Sequence, residues 1–200
     1  MRRAPDELVI RRIRKLGLAR PRELGRLGIS RTRLLRLVRS GHVERRARGI
    51  YAVAGHTTTP MHALAQTAKR VPGGVLCLLT ALRFHGLTTQ SPAEVWMALP
   101  VKARRPRLDY PRLRLARFSP AALRTGVEVH RLEGVEVRVY SAAKTVADCF
   151  KYRHKIGIDV AVEALRDFTR KHRGGADELA RCARICRVAR VMQPYLDALE

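Results

Sequence analysis

The segment that decides the fold runs from Ser30 to Val53 and reads SRTRLLRLVRSGHVERRARGIYAV. Ser30 is a preferred residue at a helix N-terminus, so it predicts a helix over Arg31–Arg39. The glycine that follows ends this helix. His42–Arg45 and Ile50–Val53 flank the basic turn RARG and have the pattern of two paired strands. The segment therefore predicts a basic helix followed by a hairpin with a basic tip.

The predicted helix is amphipathic at the helical repeat of about 100° per residue. Its apolar face is expected to contain Leu34, Leu35, Leu37 and Val38. The polar residues are expected to lie at the helix tip or on the opposite face: Arg31, Thr32, Arg33, Arg36 and Arg39. Such a face either contacts a polyanion or simply lies in solvent, and both alternatives stay open.

Two further helices are predicted upstream of this segment. Asp6 and Glu7 suit the N-terminus of a helix whose apolar residues recur at helical spacing up to Leu16. Pro21 suits the first turn of a short helix over Arg20–Leu27. The order of helix, short helix, turn, basic helix and basic hairpin is typical of a winged helix-turn-helix, which places its third helix in the major groove of DNA.

This arrangement assigns different roles to the basic residues. Arg33 and Arg36 are the best candidates to contact guanine edges, and Thr32 suits a thymine methyl group or a phosphate. The hairpin tip is expected to contact phosphates, which fix position without specifying sequence. The tip arginines are Arg45, Arg46 and Arg48.

The composition also favours a polyanionic partner. The 200 residues include 41 Lys or Arg and 17 Asp or Glu, giving a net charge of +24. Residues 1–55 and residues 56–200 each carry a net charge of +12, so the shorter segment is more densely charged. Codon bias can explain why most of the bases are Arg, but it does not explain the excess of bases over acids. The predicted domains are 1–55, binding DNA, and 56–200.

The longer segment is predicted to be a small sheet with several helices. Strands are expected at Glu94–Leu99 and Leu113–Phe118, and a hairpin within Gly126–Val139. Ser141 is expected to cap a helix that continues to Lys155, another helix begins at Asp159, and a last helix covers Asp177–Met192 and is limited by Pro194. The fold class is therefore α+β, a winged helix-turn-helix followed by a larger α+β domain.

Several stretches resemble the AbiEi family of antitoxins. The longest is VYSAAKTVADCFKYR at residues 139–153, and IDVAVEALR at 158–166 and ARICRVA at 183–189 also resemble it. Two shorter stretches are ALRFHGL at 81–87 and GIY at 49–51. The resemblance covers nearly the whole chain.

The resemblance implies the antitoxin of a type IV toxin–antitoxin system. Such proteins bind inverted repeats of their own promoter through the winged helix and repress the operon. Their C-terminal domain counteracts a nucleotidyltransferase toxin, without a stable complex between the two proteins. A stand-alone regulator without a neighbouring toxin is the alternative.

No constellation of catalytic residues is recognised, so no enzyme activity, cofactor or metal is expected. A nuclease-like site using Asp148, Asp159 and Glu163 is the alternative. Cys182 and Cys186 lie one helical turn apart, and with His172 or Cys149 they could ligate zinc, but buried thiols are the expected state.

Two further positions can be interpreted in two ways. His85 is expected to be a core residue rather than a site residue. Asp148 is an acid on the apolar side of a helix and needs a partner, such as Lys144 or Arg153. Lys144 and Asp148 are also the candidate residues for an antitoxin surface.

The remaining expectations concern location and partners. The longest apolar stretch, Val75–Leu82, is too short for the ~20 residues of a membrane span. No secretory signal is recognised, and the scattered cysteines favour reduced thiols in the cytoplasm. A stand-alone basic protein that binds DNA or RNA, or a module that docks to an acidic protein, stays open, as does the choice between monomer and dimer.

Overall fold

The computed structural model describes residues 6–56 and 59–199, which divide into two compact units. The first unit contains the described residues up to Pro72 together with Arg131–Val137. The second contains Gly73–His130 and the described residues from Arg138 onward. The first unit thus includes 56–72 and 131–137, which the sequence analysis assigned to the C-terminal domain.

The first unit has the predicted order of helices and strands. Its elements are α1 Asp6–Leu16, α2 Pro21–Arg26, α3 Arg31–Arg39, β1 Val43–Ala47, β2 Ile50–Val53 and α4 His62–Arg70. Ser30 caps α3, since its hydroxyl accepts a 3.2 Å hydrogen bond from the Arg33 amide. The predicted bounds of α3 and β2 are therefore confirmed, and those of α1 and α2 are confirmed to within one or two residues.

The core of this unit joins the three helices to the hairpin. Its buried residues are Val9, Ile13, Ala19, Leu24, Ile29, Leu34, Leu37, Val43 and Val53. Val43 is paired with Val53 across the hairpin. Ala19, between α1 and α2, adds a third strand-like contact, because its backbone and that of Tyr51 exchange hydrogen bonds of 2.8 and 2.9 Å. The region is therefore a winged helix-turn-helix in its order and packing.

One predicted core residue of α3 is not buried. Leu35 was expected on the apolar face, but 44% of it is exposed. The helical repeat explains the difference, because Leu35 lies only about 40° around the axis from Arg31. The buried side of α3 is centred on Leu34 and Leu37 instead.

Residues 131–137 are held in the first unit by a close backbone approach and by a buried carboxylate. A Cβ atom at Gly17 would lie 1.6 Å from the Glu133 carbonyl oxygen, so only glycine fits at position 17. The Glu133 side chain accepts hydrogen bonds from the Thr59 amide, at 2.6 Å, and from His62 Nδ1, at 2.7 Å. His56 Nε2 lies 3.5 Å from the same carboxylate.

A mixed sheet of five strands lies mostly in the second unit, and only its hairpin residues Arg131–Val137 belong to the first. The strands are β3 Val75–Leu76, β4 Val95–Pro100, β5 Leu113–Phe118, β6 Val127–Leu132 and β7 Val135–Tyr140. Their order in the sheet is β5-β4-β3-β7-β6. β3 is antiparallel to β4 and parallel to β7, and β4 is parallel to β5. The expected strands and hairpin are thus present, and the fold is α+β.

Helices pack against this sheet, and α7 is the most buried of them. The helices are α5 Leu78–Phe84, α6 Pro120–Arg124, α7 Ala142–Lys151, α8 Arg153–Ile156, α9 Ile158–Lys171, α10 Ala176–Cys186 and α11 Ala189–Asp197. Every residue of α7 from Ala142 to Phe150 is buried. The buried residues of α7 include two charged ones, Lys144 and Asp148.

Two helical predictions in this unit are wrong in their extent. The helix capped by Ser141 ends at Lys151, and α8 follows it separately. The last predicted helix is two helices, because Arg187 adopts a left-handed conformation with φ +59°. The Val188 amide then donates to the Ala183 carbonyl, which completes a helix C-terminus. Pro194 lies inside α11 and does not limit it.

Candidate nucleic-acid interface

The outer face of α3 is basic with one apolar residue within it. The exposed side chains on this face are Arg31, Thr32, Leu35, Arg36 and Arg39. Ser30 fixes the start of the helix, and the buried Leu34 and Leu37 fix its rotation. Because the same core holds α1, α2 and the hairpin, these side chains stand on a rigid support.

The two arginines predicted to contact base edges differ in their surroundings. Arg33 donates to Asp6 Oδ1 from Nε at 3.0 Å and from Nη2 at 2.7 Å. Arg36 donates from Nη2 to both oxygens of the same carboxylate, at 2.9 and 3.0 Å. The exposed fraction of the Arg33 side chain is 13%, whereas that of Arg36 is 59%. Arg36 is therefore the accessible member of the pair.

The Asp6 carboxylate is charged wherever these contacts persist. The hydrogen bond from Arg33, with the positive charge of Arg36 beside it, holds the pKa of Asp6 below its ordinary value. Asp6 thus links the first turn of α1 to α3 through two guanidinium groups. Asp6 thereby occupies guanidinium N–H donors, which are the same groups that bind a phosphate in a bidentate manner.

A cavity of about 350 Å³ lies at the N-terminal end of α3. It is lined by Gly28, Ser30, Thr32, Arg33 and Arg36. The N-terminus of a helix carries a partial positive charge and free amide groups. With two guanidinium groups beside it, this end of α3 suits a negatively charged ligand.

The arginines at the tip of the hairpin have different surroundings. Arg45 and Arg48 are exposed. Arg46 is half-buried, lies 3.2 Å from Glu44 Oε2 and donates a 3.0 Å hydrogen bond to the His56 carbonyl. The tip therefore presents Arg45 and Arg48, while Arg46 is held against the protein.

Four basic side chains of this surface are free to bind a ligand. Over residues 6–56 and 59–199, Arg31, Arg39, Arg45 and Arg48 form no ion pair. The predicted basic side chains of α3 and of the hairpin tip belong to the same compact unit. Leu35 was missed as a surface residue, although its position about 40° from both Arg31 and Arg39 would have indicated it.

The candidate residues of the second unit are buried. Lys144 Nζ donates to both oxygens of Asp148 at 2.6 Å, which confirms Lys144 as the partner of Asp148. The exposed fractions of the two side chains are 0% and 1%. Their assignment to an antitoxin surface is corrected on this ground, because neither side chain is accessible to a protein partner.

The histidine and cysteines of this unit are also engaged in the fold. His85 is half-buried, and its Nε2 lies 2.7 Å from the Tyr140 carbonyl oxygen. Burial raises the pKa of Cys77, Cys149, Cys182 and Cys186. In the described part of the chain, no group of three or more His, Cys, Asp or Glu side chains is arranged to hold a metal ion.

Comparison with known proteins supports this description. Residues 6–54 match the model of a protein family described as "Transcriptional regulator, AbiEi antitoxin". The predicted resemblance to AbiEi antitoxins is therefore confirmed for α1, α2, α3 and the hairpin. The stretches 81–87, 139–153, 158–166 and 183–189, which carried the resemblance in the second unit, lie outside the matched residues.

A solved structure has a related fold over the whole chain. The crystal structure of the RV2827C protein from Mycobacterium tuberculosis superposes with a TM-score of 0.51 and 14% sequence identity. The match covers 98% of this chain and 83% of that chain. At this identity the likeness concerns the fold alone. A comparison with curated proteins finds no match.

None of the helices in the described ranges combines the length and the apolar character needed to cross a bilayer.

Proposed function

We propose that this protein binds double-stranded DNA with sequence specificity and acts as a transcription regulator. The observation that carries the proposal is the outer face of α3, where Arg31, Arg36 and Arg39 surround Leu35 on a rigid support. A helix with this face fits the major groove, whose base edges offer acceptors to arginine and methyl groups to leucine. The family match of residues 6–54 to transcriptional regulators supports the same function.

In this proposal the two parts of the surface have separate roles. Arg36 contacts a base edge, with Thr32 and Leu35 on neighbouring bases. Arg45 and Arg48 of the hairpin tip contact phosphates, as do Arg31 and Arg39 at the two ends of α3. Arg33 is held by Asp6. Arg46 is held by Glu44 and by the His56 carbonyl. These two arginines therefore position the surface.

The finer proposal follows the AbiEi description of the matched family. We infer that the first unit binds inverted repeats in the protein's own promoter and represses that operon in the cytoplasm. The second unit serves as the antitoxin part and counteracts a nucleotidyltransferase toxin of a type IV system, without a stable complex. The support for this division is the separation of the chain into two units, each with its own core.

The experiment compares two arginine variants on a duplex that the protein selects from a random library. Arg36→Ala should lose about 1–3 kcal/mol of discrimination between the selected duplex and one changed at the contacted base. Arg48→Ala should weaken binding to all duplexes equally and lower the salt slope by about 1. If both variants selected and bound the same duplex as the parent, α3 and the hairpin would not form the interface.

A further inference from the structure

The second unit contains a cavity that the DNA-binding function does not use. Its volume is about 330 Å³, which lies at the small end of the range for ligand sites. The end of β5, the start of α6, the end of α7 and the end of α10 line it. Residues from four separate elements therefore line one open cleft.

Three cationic side chains line this cavity: Arg117, Lys151 and Arg187. Lys151 and Arg187 are exposed, and within residues 6–56 and 59–199 neither forms an ion pair. Arg117 is half-buried and donates to the Pro100 carbonyl at 3.0 Å, which fixes its guanidinium group. The Ser119 hydroxyl also lines the cavity and does not cap α6. The rim thus offers donors and positive charge.

The backbone at Arg187 points to a role for its side chain. Its φ of +59° lies in the left-handed region, where glycine is the favoured residue at the end of a helix. A non-glycine residue in this conformation costs free energy. An arginine therefore stands at a position where glycine would favour folding, and its side chain lies on the cavity.

The floor of the cavity is close to neutral. Asp148 lines it, and its charge is balanced by Lys144, which contacts both carboxylate oxygens at 2.6 Å. The Cys186 thiol donates to Asp148 Oδ1 at 3.3 Å. The floor thus does not cancel the charge of the three cations above it.

One wall of the cavity is aromatic. Phe118 and Tyr152 line it, and their rings are stacked with centroids 5.4 Å apart. The Tyr152 hydroxyl donates a 2.6 Å hydrogen bond to the Arg117 carbonyl, which holds the ring in place. Phe118 is buried and Lys144 Nζ lies 4.8 Å from its ring centroid, so the half-buried Tyr152 is the ring that is open to an organic group.

We propose that this cavity is a binding site for a small organic phosphate. The phosphate group is bound by Arg117, Lys151 and Arg187, and the organic group lies against Tyr152. Guanidinium and ammonium groups are the residues that commonly bind phosphate, through charge-assisted hydrogen bonds. None of the residues of this site belongs to the first unit, so it shares no residue with the proposed DNA interface.

The test is calorimetric titration of the full chain at 150 mM salt with AMP, ribose 5-phosphate or inorganic phosphate. AMP should bind at one saturable site, more tightly than inorganic phosphate. Arg187→Gly should weaken AMP binding about tenfold or more, the loss expected for one charge-assisted contact. Lys151→Met should have a similar effect. Arg184→Ala is the matched control, since Arg184 is an exposed arginine of α10 outside the cavity.

The thermal unfolding of Arg187→Gly separates a binding role from a structural one. Glycine relieves the left-handed backbone, so this variant should unfold at a temperature equal to or above that of the parent. Loss of AMP binding in a protein of undiminished stability would support the site. Absence of saturable AMP binding, or full affinity in Arg187→Gly, would overturn it. Equal affinity for AMP and inorganic phosphate would overturn the assignment to an organic phosphate.

Discussion

Asp6 Oδ1 lies 2.7 Å from Arg33 Nη2, so the first turn of α1 is fastened to the helix proposed to enter the major groove. The same carboxylate also contacts Arg36, whose guanidinium group is one of the proposed DNA ligands. Asp6 therefore acts in two opposing ways. It orients α3, and it competes with DNA for a positive charge.

The first prediction concerns this competition. Asp6→Asn removes the negative charge but keeps the size of the side chain, so duplex binding should tighten severalfold at low salt and less at high salt. Thermal stability should fall, because the charged contacts with Arg33 and Arg36 are weakened. Fluorescence anisotropy and thermal unfolding measure the two effects.

Glu7→Gln is the matched control for Asp6→Asn. It makes the same change of charge one residue further along α1, and Glu7 is exposed. An equal gain of affinity in both variants would show that net charge, rather than the contact with α3, limits DNA binding.

The second prediction concerns Leu35, the apolar residue within the basic face. Leu35→Ala should weaken binding to the selected duplex about fourfold, the equivalent of ~0.8 kcal/mol for one lost methyl-sized contact. Replacing the contacted thymine by deoxyuridine, which lacks the C5 methyl group, should weaken the parent similarly. The same replacement should have little effect on the Leu35→Ala variant.

Leu199→Ala serves as the control, because Leu199 is exposed to a similar extent, 38%, but belongs to the second unit. Each thymine of the selected duplex is replaced by deoxyuridine in turn. If every replacement changed the affinity of Leu35→Ala and of the parent equally, Leu35 would not contact a thymine methyl group.

The third prediction concerns the buried carboxylate of Glu133. Although burial alone would raise it, the pKa of Glu133 is lowered by hydrogen bonds from the Thr59 amide and from His62. A carboxyl group whose pKa is lowered by folding stabilises the folded state at any pH above its unfolded pKa, which is near 4.5. This contribution to stability is lost as the pH falls through the pKa of the folded state. Glu133→Gln should therefore lower the free energy of unfolding by about 2 kcal/mol at pH 7.

Urea denaturation across a pH series tests this prediction. The difference between the parent and Glu133→Gln should shrink as the pH falls below 4.5. Glu136→Gln, an exposed residue of the same hairpin, should show almost no difference at any pH. A deficit for Glu133→Gln that stays constant from pH 7 to acid would mean that the carboxylate charge contributes nothing.

The fourth prediction concerns the buried pair in α7. Lys144→Met leaves the charge of Asp148 buried without its partner, which should cost about 3–5 kcal/mol of stability. Replacing both, as Lys144→Met with Asp148→Leu, should recover most of this loss because no charge stays buried. Urea denaturation measures both variants.

Lys151→Met, an exposed lysine of the same helix, is the control for stability. If Lys144→Met were as stable as this control, the pair would have no structural role in the core.

The sequence alone predicted those parts of the fold that depend on local signals. α3, β2 and β5 were predicted with their observed bounds, because a serine cap, a glycine turn or a change of period marks each of them. The helical repeat likewise predicted a face with Thr32, Arg33, Arg36 and Arg39, of which Arg33 is mostly buried against Asp6.

Contacts between distant residues were not predictable in this way. Asp6 is 27 residues from Arg33, and Thr59 is 74 residues from Glu133. Nothing in the local pattern indicates that these side chains meet. The end of α10 before Arg187 was also missed. A glycine after the last turn is the usual sequence sign of a helix end, and here an arginine adopts the left-handed conformation instead.

The most direct test of DNA recognition is fluorescence anisotropy with a duplex from just upstream of the protein's own coding sequence. A shuffled duplex of the same composition is measured beside it over a salt series. A sequence-specific regulator should prefer the upstream duplex by about 1,000-fold or more. Equal affinity for both duplexes, with a steep salt dependence, would contradict it, since binding would then depend on charge alone.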